Sequence, residues 1–380
     1  MNYDKLHQEY KDNSIFGRYI SLKHIEPLLL KYNAKVIGKS VIDKPIYKLE
    51  LGSGKTKILM WSQMHGNEST TTKALFDFLN FLHSNNSQSK VILENFTFCL
   101  LPMLNPDGAE AYTRVNANEI DLNRDSQNLS QPESKILRNT FENFQPDYCY
   151  NLHDQRTIFG VADTGKPATV SFLAPAFDEA RNWNQCRQKA AKVIVSMNNE
   201  LQKIIPGQIG RFDDSFNINC VGDMFQSLNV PTVLFEAGHF PNDYEREITR
   251  KFIFIALFSG IKQIYENDIV CNEIEDYLNI PQNKVNFYDF VYKNVKINYD
   301  NLEKCLNFAA QYTEVLNHEK IEFEARIAQV DNLENYFGHI EFDANGEHFF
   351  DGENKFPQND KKADFLIGNR MKFVNGLKIC

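Results

Sequence analysis

The chain has 380 residues, 42% hydrophobic and 24% charged, an ordinary globular composition with length for a substantial core and for two domains. A formal net charge of −9 speaks against broad nucleic-acid binding, and no apolar run reaches the length needed to cross a bilayer. The N-terminal stretch MNYDKLHQEYKDNSIFGRY lacks the apolar segment of a secretory signal, and seven cysteines form no CxxC, so a reducing, cytoplasmic setting without nucleic-acid or membrane partners is expected.

In chain order, residues 1–45 read as an N-terminal helical extension, with an apolar patch around Ile25 and Leu28–Leu30. A strand is predicted at Ile58–Trp61, after a Gly-Ser-Gly turn, and a helix at Ser69–His83 from the repeat of Leu75, Phe78, Leu79 and Leu82. A second strand, Phe96–Leu101, ends at Pro102 and the turn Asn105-Pro106-Asp107-Gly108. A helix at Pro132–Phe144 precedes a strand at Tyr148–Leu152 that ends at His153. A longer helix spans Trp183–Ile204, a strand Pro231–Phe235 ends at Glu236, and a last helix covers Asp243–Tyr265, where KFIFIALFSG reads as buried. The alternation predicts an α/β fold, a mixed, mostly parallel sheet flanked by helices, whose ligands gather at C-terminal strand ends. This places a catalytic domain at 46–270 and a smaller, strand-rich accessory domain at 271–380, where turn residues separate alternating apolar positions.

The sharpest local pattern is His65-Gly66-Asn67-Glu68. Imidazole nitrogen and carboxylate oxygen both suit zinc, the three-residue spacing can turn both inward, and Gly66 permits a tight path; the same tetrapeptide also fits a surface turn. His153, at another strand end, completes a His2Glu set that leaves one position open for water or substrate, although a core histidine fits there too. In Asp121-Leu122-Asn123-Arg124-Asp125, an extended backbone would point Asp121 and Asn123 together. Asp121 is suited to orient the outer nitrogen of His65, and Arg124 with Asn123 to bind a carboxylate. Arg114 is a further cation able to polarise a carbonyl; surface ion pairing is the ordinary alternative for both arginines. Glu236 can take a proton from an attacking water and return it to a departing amine, or be a plain strand-end acid. His239 is assigned to packing, a loop hydrogen bond or substrate contact.

Taken together, His65-Gly66-Asn67-Glu68, Asn105-Pro106-Asp107-Gly108, Asp121-Leu122-Asn123-Arg124-Asp125, Asn151-Leu152-His153-Asp154 and Phe235-Glu236-Ala237-Gly238 resemble, in that order, the zinc carboxypeptidase superfamily. That superfamily also includes N-acyl-amino-acid deacylases of the aspartoacylase and succinylglutamate desuccinylase type, and the likeness covers about residues 50–265. The resemblance implies one Zn2+ bound by His65, Glu68 and His153, with Asp121 supporting His65. It implies Glu236 as catalytic base, Arg114 polarising the scissile carbonyl, and Asn123 with Arg124 gripping the substrate's free carboxylate. The implied reaction is hydrolysis of an amide next to that carboxylate by metal-activated water, on a peptide or an acylated amino acid.

A peptidase needs an open cleft and a deacylase a closed pocket. The long interval from His153 to Glu236, with loops expected at Arg156–Asp178 and Gly207–Asp223, resembles the peptidase branch; the strand-rich tail resembles the deacylase branch. A catalytically inactive interaction module on the same scaffold is the third possibility. Asp154-Gln155-Arg156 offers either substrate contacts or a salt-linked rim. Tyr244, Arg211, Asp213, Asp214 and Asp223 are candidates for shaping specificity, or members of solvated loops.

Overall fold

The computed structural model describes residues 3–267, 272–299 and 302–379, which form two compact units. The first unites residues up to Gln155 with Ala168–Asn283, and the second unites Arg156–Pro167 with the chain from Lys284 onward.

The first unit is built on eight strands: β1 (Lys35–Lys39), β2 (Pro45–Gly52), β3 (Thr56–Ser62), β4 (Phe96–Leu101), β5 (Tyr148–Asp154), β7 (Val170–Leu173), β8 (Ile209–Arg211) and β9 (Thr232–Ala237). They lie in the order β1-β2-β4-β3-β5-β9-β7-β8. The centre, β4-β3-β5-β9, is parallel, and β7 pairs with β8 in the same sense; β1/β2, β2/β4 and β7/β9 are antiparallel. Strand β3 shows why helices cover both faces. Its run Ile58–Trp61 is buried throughout, with Ile58 and Met60 in one core cluster and Leu59 and Trp61 in another, as two-residue alternation in a doubly covered sheet requires.

Against the Ile58 face pack α3 (Thr70–Leu82), α7 (Gln185–Leu201) and α9 (Glu247–Glu266); the Trp61 face holds residues of α6 (Pro132–Phe144) and α8 (Val221–Ser227). Helix α9 is buried continuously from Phe252 to Ile261, and no helix among the described residues is long and apolar enough to cross a membrane. The remaining helices of this unit are α1 (Tyr3–Tyr10), α2 (Leu22–Lys31), α4 (Ser87–Asn95), α5 (Pro106–Ala111) and α10 (Glu273–Leu278). The individually predicted strands and helices form, but the extension read as helical through residue 45 ends in strand β1, which pairs with β2, and two further differences lie near the functional residues. Strand β5 runs to Asp154 and β9 to Ala237, so His153 and Glu236 lie within strands rather than beyond them. Residues expected as loops supply β7 and β8.

The N-terminal residues are bound into this unit by a buried ionic cluster. Arg250 and Asp77 are fully buried; Arg250 Nε donates to Asp77 Oδ2 at 2.7 Å, and its other nitrogens donate to the carbonyls of Asp12 (2.7 Å) and Ile15 (2.9 Å). Asp77 also accepts from the Asp12 backbone N–H (2.7 Å) and lies 3.0 Å from His7 Nε2. Farther along, the Ile20 carbonyl accepts from Gln63 Nε2 (2.6 Å) and the Arg18 carbonyl from Ser69 Oγ (2.6 Å), so the first residues brace both ends of the segment containing His65 and Glu68.

The second unit is a β structure containing β6 (Phe159–Val161), which pairs with β10 (Asn283–Val285). Its main sheet has the order β13-β12-β11-β14, from β11 (Phe287–Tyr299), β12 (Leu302–Asn317), β13 (Lys320–Asp331) and β14 (Phe337–Asp343). Short strands β15 (Phe349–Phe350), β16 (Phe365–Ile367), β17 (Met371–Val374) and β18 (Leu377–Lys378) form another sheet. An aromatic core joins them: the Tyr292 ring lies 4.6 Å from Phe308, 4.9 Å from Phe365 and 5.3 Å from Phe373.

Removing one member of a buried ion pair leaves the other desolvated and uncompensated, at a cost of about 3–5 kcal/mol. Asp77→Ala is therefore expected to lose about that much stability in urea unfolding. A loss under about 1 kcal/mol would contradict the bracing role of the cluster.

Candidate metal centre

The residues after β3 make a compact turn. Gln63 takes a left-handed backbone (φ 49°), and Glu68 N–H closes on the His65 carbonyl at 3.1 Å. Gly66 is required by close approach: a Cβ there would lie 1.9 Å from the Gly108 carbonyl carbon, at the first turns of α5. The predicted turn at Asn105 is the start of that short helix, with the Asn105 side chain capping Gly108 N–H at 2.9 Å.

His65, Glu68 and His153 are all buried, and their ligand atoms converge within 4.8 Å of one another. His65 Nδ1 is 2.8 Å from Glu68 Oε1, His153 Nδ1 is 2.9 Å from Glu68 Oε2, and the two Nδ1 atoms are 3.1 Å apart. Tetrahedral bonds of about 2.0–2.1 Å to a zinc ion would separate two nitrogen ligands by roughly 3.3 Å, so this donor set fits the ion in chemistry and spacing. His153 Nε2 is buried without a hydrogen-bond partner among the described residues, leaving Nδ1 as the nitrogen that the fold engages.

Charge and burial compete in this cluster. Burial disfavours the Glu68 carboxylate, but His65 and His153 outweigh it and hold the group well below the usual range. Burial likewise pushes His65 down, yet the Glu68 charge and the hydrogen bonds to Asp121 and Glu68 bring it out above its ordinary value. For His153 burial wins and lowers the imidazole below its ordinary value, with Glu68 opposing it. A proton on His65 Nδ1 stands where a metal cation would compete.

The DLNRD segment is a turn rather than the extended path in which alternation would align Asp121 and Asn123. Leu122–Arg124 is a 3-10 turn, because Asp121 Oδ1 caps the Asn123 N–H at 2.9 Å. The same oxygen lies 3.0 Å from His65 Nε2, so Asp121 meets the outer nitrogen as expected, through turn geometry rather than alternation. Burial raises the Asp121 carboxyl, but His65 and Arg114 outweigh it and hold it well below its usual range. Arg114 reaches both acids: Nε donates to Asp121 Oδ2 at 3.0 Å and a terminal nitrogen lies 3.4 Å from Glu68 Oε1. Asn123 Oδ1 accepts from Val221 N–H at 2.9 Å, joining the turn to the start of α8. Arg124 is exposed; it donates to the Asn123 carbonyl at 2.8 Å and contacts Cys220 Sγ at 3.2 Å, with no carboxylate at ion-pair distance among the described residues.

Glu236 lies directly opposite His153 in the parallel β5/β9 ladder and opposite Ser171 on its other side. Burial, then the charges of Glu68 and Asp154, push its carboxyl well above the ordinary range, partly offset by Arg114 and Arg246.

Asp154 is engaged within the fold rather than in a salt-linked rim. It is buried; its oxygens accept from Thr70 N–H (2.9 Å) and Thr71 N–H (3.3 Å) at the start of α3, while its own N–H donates to Glu68 Oε2 at 3.1 Å. Burial raises its carboxyl. Gln155 donates through Nε2 to Ser171 Oγ at 3.1 Å. Helix capping by an acid more than eighty positions downstream leaves no local pattern to read.

The remaining polar candidates are engaged within the fold. The Tyr244 ring packs 4.7 Å from His239, and Arg211 lies over Tyr277 at 5.3 Å. Asp213 accepts from Ser215 N–H at 2.9 Å, and Asp214 pairs with Arg187 and Arg181. Asp223 accepts from Asn217 N–H at 3.3 Å and is pushed up to about 7 by burial.

A family model described as zinc carboxypeptidase matches residues 31–159, a span holding His65, Glu68, Arg114, Asp121, Asn123, Arg124 and His153 but ending before Glu236. Carboxypeptidase 2 of Trichophyton tonsurans is 28% identical over 147 residues, covering 39% of this chain and 26% of that protein. Carboxypeptidase SOL1 of Arabidopsis thaliana is 32% identical over 120 residues, covering 27% of this chain and 24% of that protein. The chain thus matches about a quarter of the length of these curated relatives. A metallo-carboxypeptidase from Burkholderia cenocepacia has a similar fold, with TM-score 0.52 at 17% identity over 66% of this chain and 70% of that one. Carboxypeptidase A from Helicoverpa armigera gives TM-score 0.51 at 15% identity over 73% and 80% of the two chains.

Because metal must displace the His65 proton, zinc affinity is expected to rise with pH by about tenfold per unit below the raised His65 value and to level off above it. Competition titrations with a chelator across about pH 5–8 check this. A flat profile would contradict the shared use of His65 Nδ1 by proton and metal.

Proposed function

We propose that the chain is a member of the zinc carboxypeptidase superfamily, a one-zinc carboxypeptidase removing the C-terminal residue of a peptide, a reading supported by the family match over residues 31–159 and by the similar fold. The observation that carries this reading is the register of β5 and β9. It sets Glu236 directly beside His153, where His65 and Glu68 converge.

His65 Nδ1, Glu68 and His153 Nδ1 are the proposed ligands, with Asp121 fixing the His65 ring through its outer nitrogen. A zinc ion bound there supplies a water of lowered pKa and a Lewis acid for the carbonyl. Glu236 takes the proton of the attacking water and delivers it to the departing amide nitrogen, its place beside His153 in the β5/β9 ladder putting it within reach of both. Arg114, already at the ligand cluster, turns from Asp121 and Glu68 to the oxygen on which negative charge develops. Asn123 and Arg124 receive the terminal carboxylate. The exposed guanidinium without an acid partner supports that role, and the bond from Asn123 to Val221 fixes the turn that presents it.

Three measurements, on the zinc-loaded wild type and two variants, test the proposal. An N-blocked dipeptide should be cleaved while its C-terminal amide is not. Glu236→Gln should keep the zinc and lose about 10²–10⁴-fold in kcat. Arg124→Met should lose roughly 10–100-fold in kcat/KM, as expected for a charged hydrogen bond. Full turnover by Glu236→Gln would reject it as base. Cleavage of N-acetyl amino acids with no cleavage of peptides would replace the carboxypeptidase reading by deacylation, and hydrolysis of neither class would leave an inactive module.

A further inference from the structure

Arg246 comes between the functional strand β9 and helix α9, in Asp243-Tyr244-Glu245-Arg246, and nothing in its local sequence marks it as unusual. Its structural setting does. The residue is fully buried and holds a left-handed backbone (φ 60°) at the N-cap of α9, a conformation that a long side chain adopts only where its surroundings impose it. Its guanidinium reaches back to two neighbouring strand ends. NH1 donates to the Ala237 carbonyl at 2.7 Å and NH2 to the Gln155 carbonyl at 2.9 Å. Ala237 directly follows Glu236, and Gln155 comes two residues after His153. The Gln155 N–H closes the same junction by donating to the Ala237 carbonyl at 2.9 Å.

A planar guanidinium spanning two carbonyls fixes their separation, because its donors sit in a rigid fork that a lysine ammonium cannot reproduce. Asp154 ties the same end of β5 to α3, the helix that follows Glu68, through the N–H groups of Thr70 and Thr71. The two devices together join three elements that carry Glu68, His153 and Glu236. The second is backbone capping of an ordinary kind; the first joins the pair of strands on which the reaction depends. Gly238 leaves room for the junction, since a Cβ there would lie 2.0 Å from the Ala168 carbonyl oxygen and 2.4 Å from Gln155 Nε2.

We propose that Arg246 is a positioning residue whose guanidinium clamps the ends of β5 and β9 and thereby sets Glu236 at working distance from the His65–Glu68–His153 centre. The inference rests on the reading of Glu236 as the base. It differs from a general stabilising role because the clamp acts beyond both functional residues. Loosening it should displace the base relative to the metal while leaving the three ligands able to bind.

The test uses the full-length, zinc-loaded chain with Arg246→Lys, which keeps the charge and loses the fork. Wild-type zinc-dependent hydrolysis is measured first, and its absence would remove the reading of Glu236 and this inference with it. Given an active wild type, Arg246→Lys is expected to lower kcat about 10–100-fold, as a small misplacement of a reacting group does, with KM within about twofold and zinc content unchanged. Combined with Glu236→Asp, its effect should be clearly non-additive, since both changes disturb one distance. A kcat within about twofold of wild type, or additive effects, would overturn the positioning role while leaving the carboxypeptidase reading intact. Loss of zinc in parallel with activity would overturn it as well, placing the effect on the metal ligands. Should Arg246→Lys fail to fold, native-state hydrogen exchange of the wild-type Gln155 amide decides: protection equal to the β5 core supports the clamp, and exchange at loop rates overturns it.

Discussion

Two imidazole nitrogens and a carboxylate share one small buried volume, and the rest of the catalytic unit is arranged around that crowding. His65 Nδ1 and His153 Nδ1 are 3.1 Å apart with Glu68 oxygens beside both, a set of donors that favours positive charge at its centre. A proton meets that preference without metal, and a divalent cation meets it better, with three fixed donors and one open position. Asp121 holds the outer nitrogen of His65 and thereby directs its inner nitrogen at the centre.

The doubly covered sheet makes such a site affordable in stability. Strands β3 and β5 bury apolar side chains on both faces until their last residues, where polar groups replace them. The parallel ladder then delivers His153 and Glu236 side by side from segments far apart in sequence. Bracing comes from several directions: the carbonyls of Arg18 and Ile20 hold Ser69 and Gln63, Asp154 caps α3, and Arg246 spans the ends of β5 and β9. These are mostly side chains bonded to backbone, which fix a site more firmly than surface ion pairs do.

Much of this was legible in the residues. The ligand set was readable because His65-Gly66-Asn67-Glu68 is local, and His153 because it ends an apolar run. The same criterion stopped the strands too early: His153, Asp154 and Glu236 are polar, so the apolar pattern ends before the hydrogen-bonded ladder does. In DLNRD, period-two spacing and Asp121 capping of Asn123 are both open to the sequence, and the local hydrogen bond decides for the turn. Asp154 and Arg246 bond to backbone groups supplied by distant segments, and backbone groups carry no residue signature. The excursion of residues 156–167 into the second unit is equally silent, since only pairing with later strands defines it.

The most direct test of the central claim is anomalous diffraction at the zinc edge from crystals of the zinc-loaded chain. One peak per chain is expected, about 2.0–2.1 Å from His65 Nδ1 and His153 Nδ1 and bonded to the Glu68 carboxylate, with Glu236 outside the ligand set. A zinc bound elsewhere, held through Nε2 of either histidine, or taking Glu236 as a ligand would contradict the account.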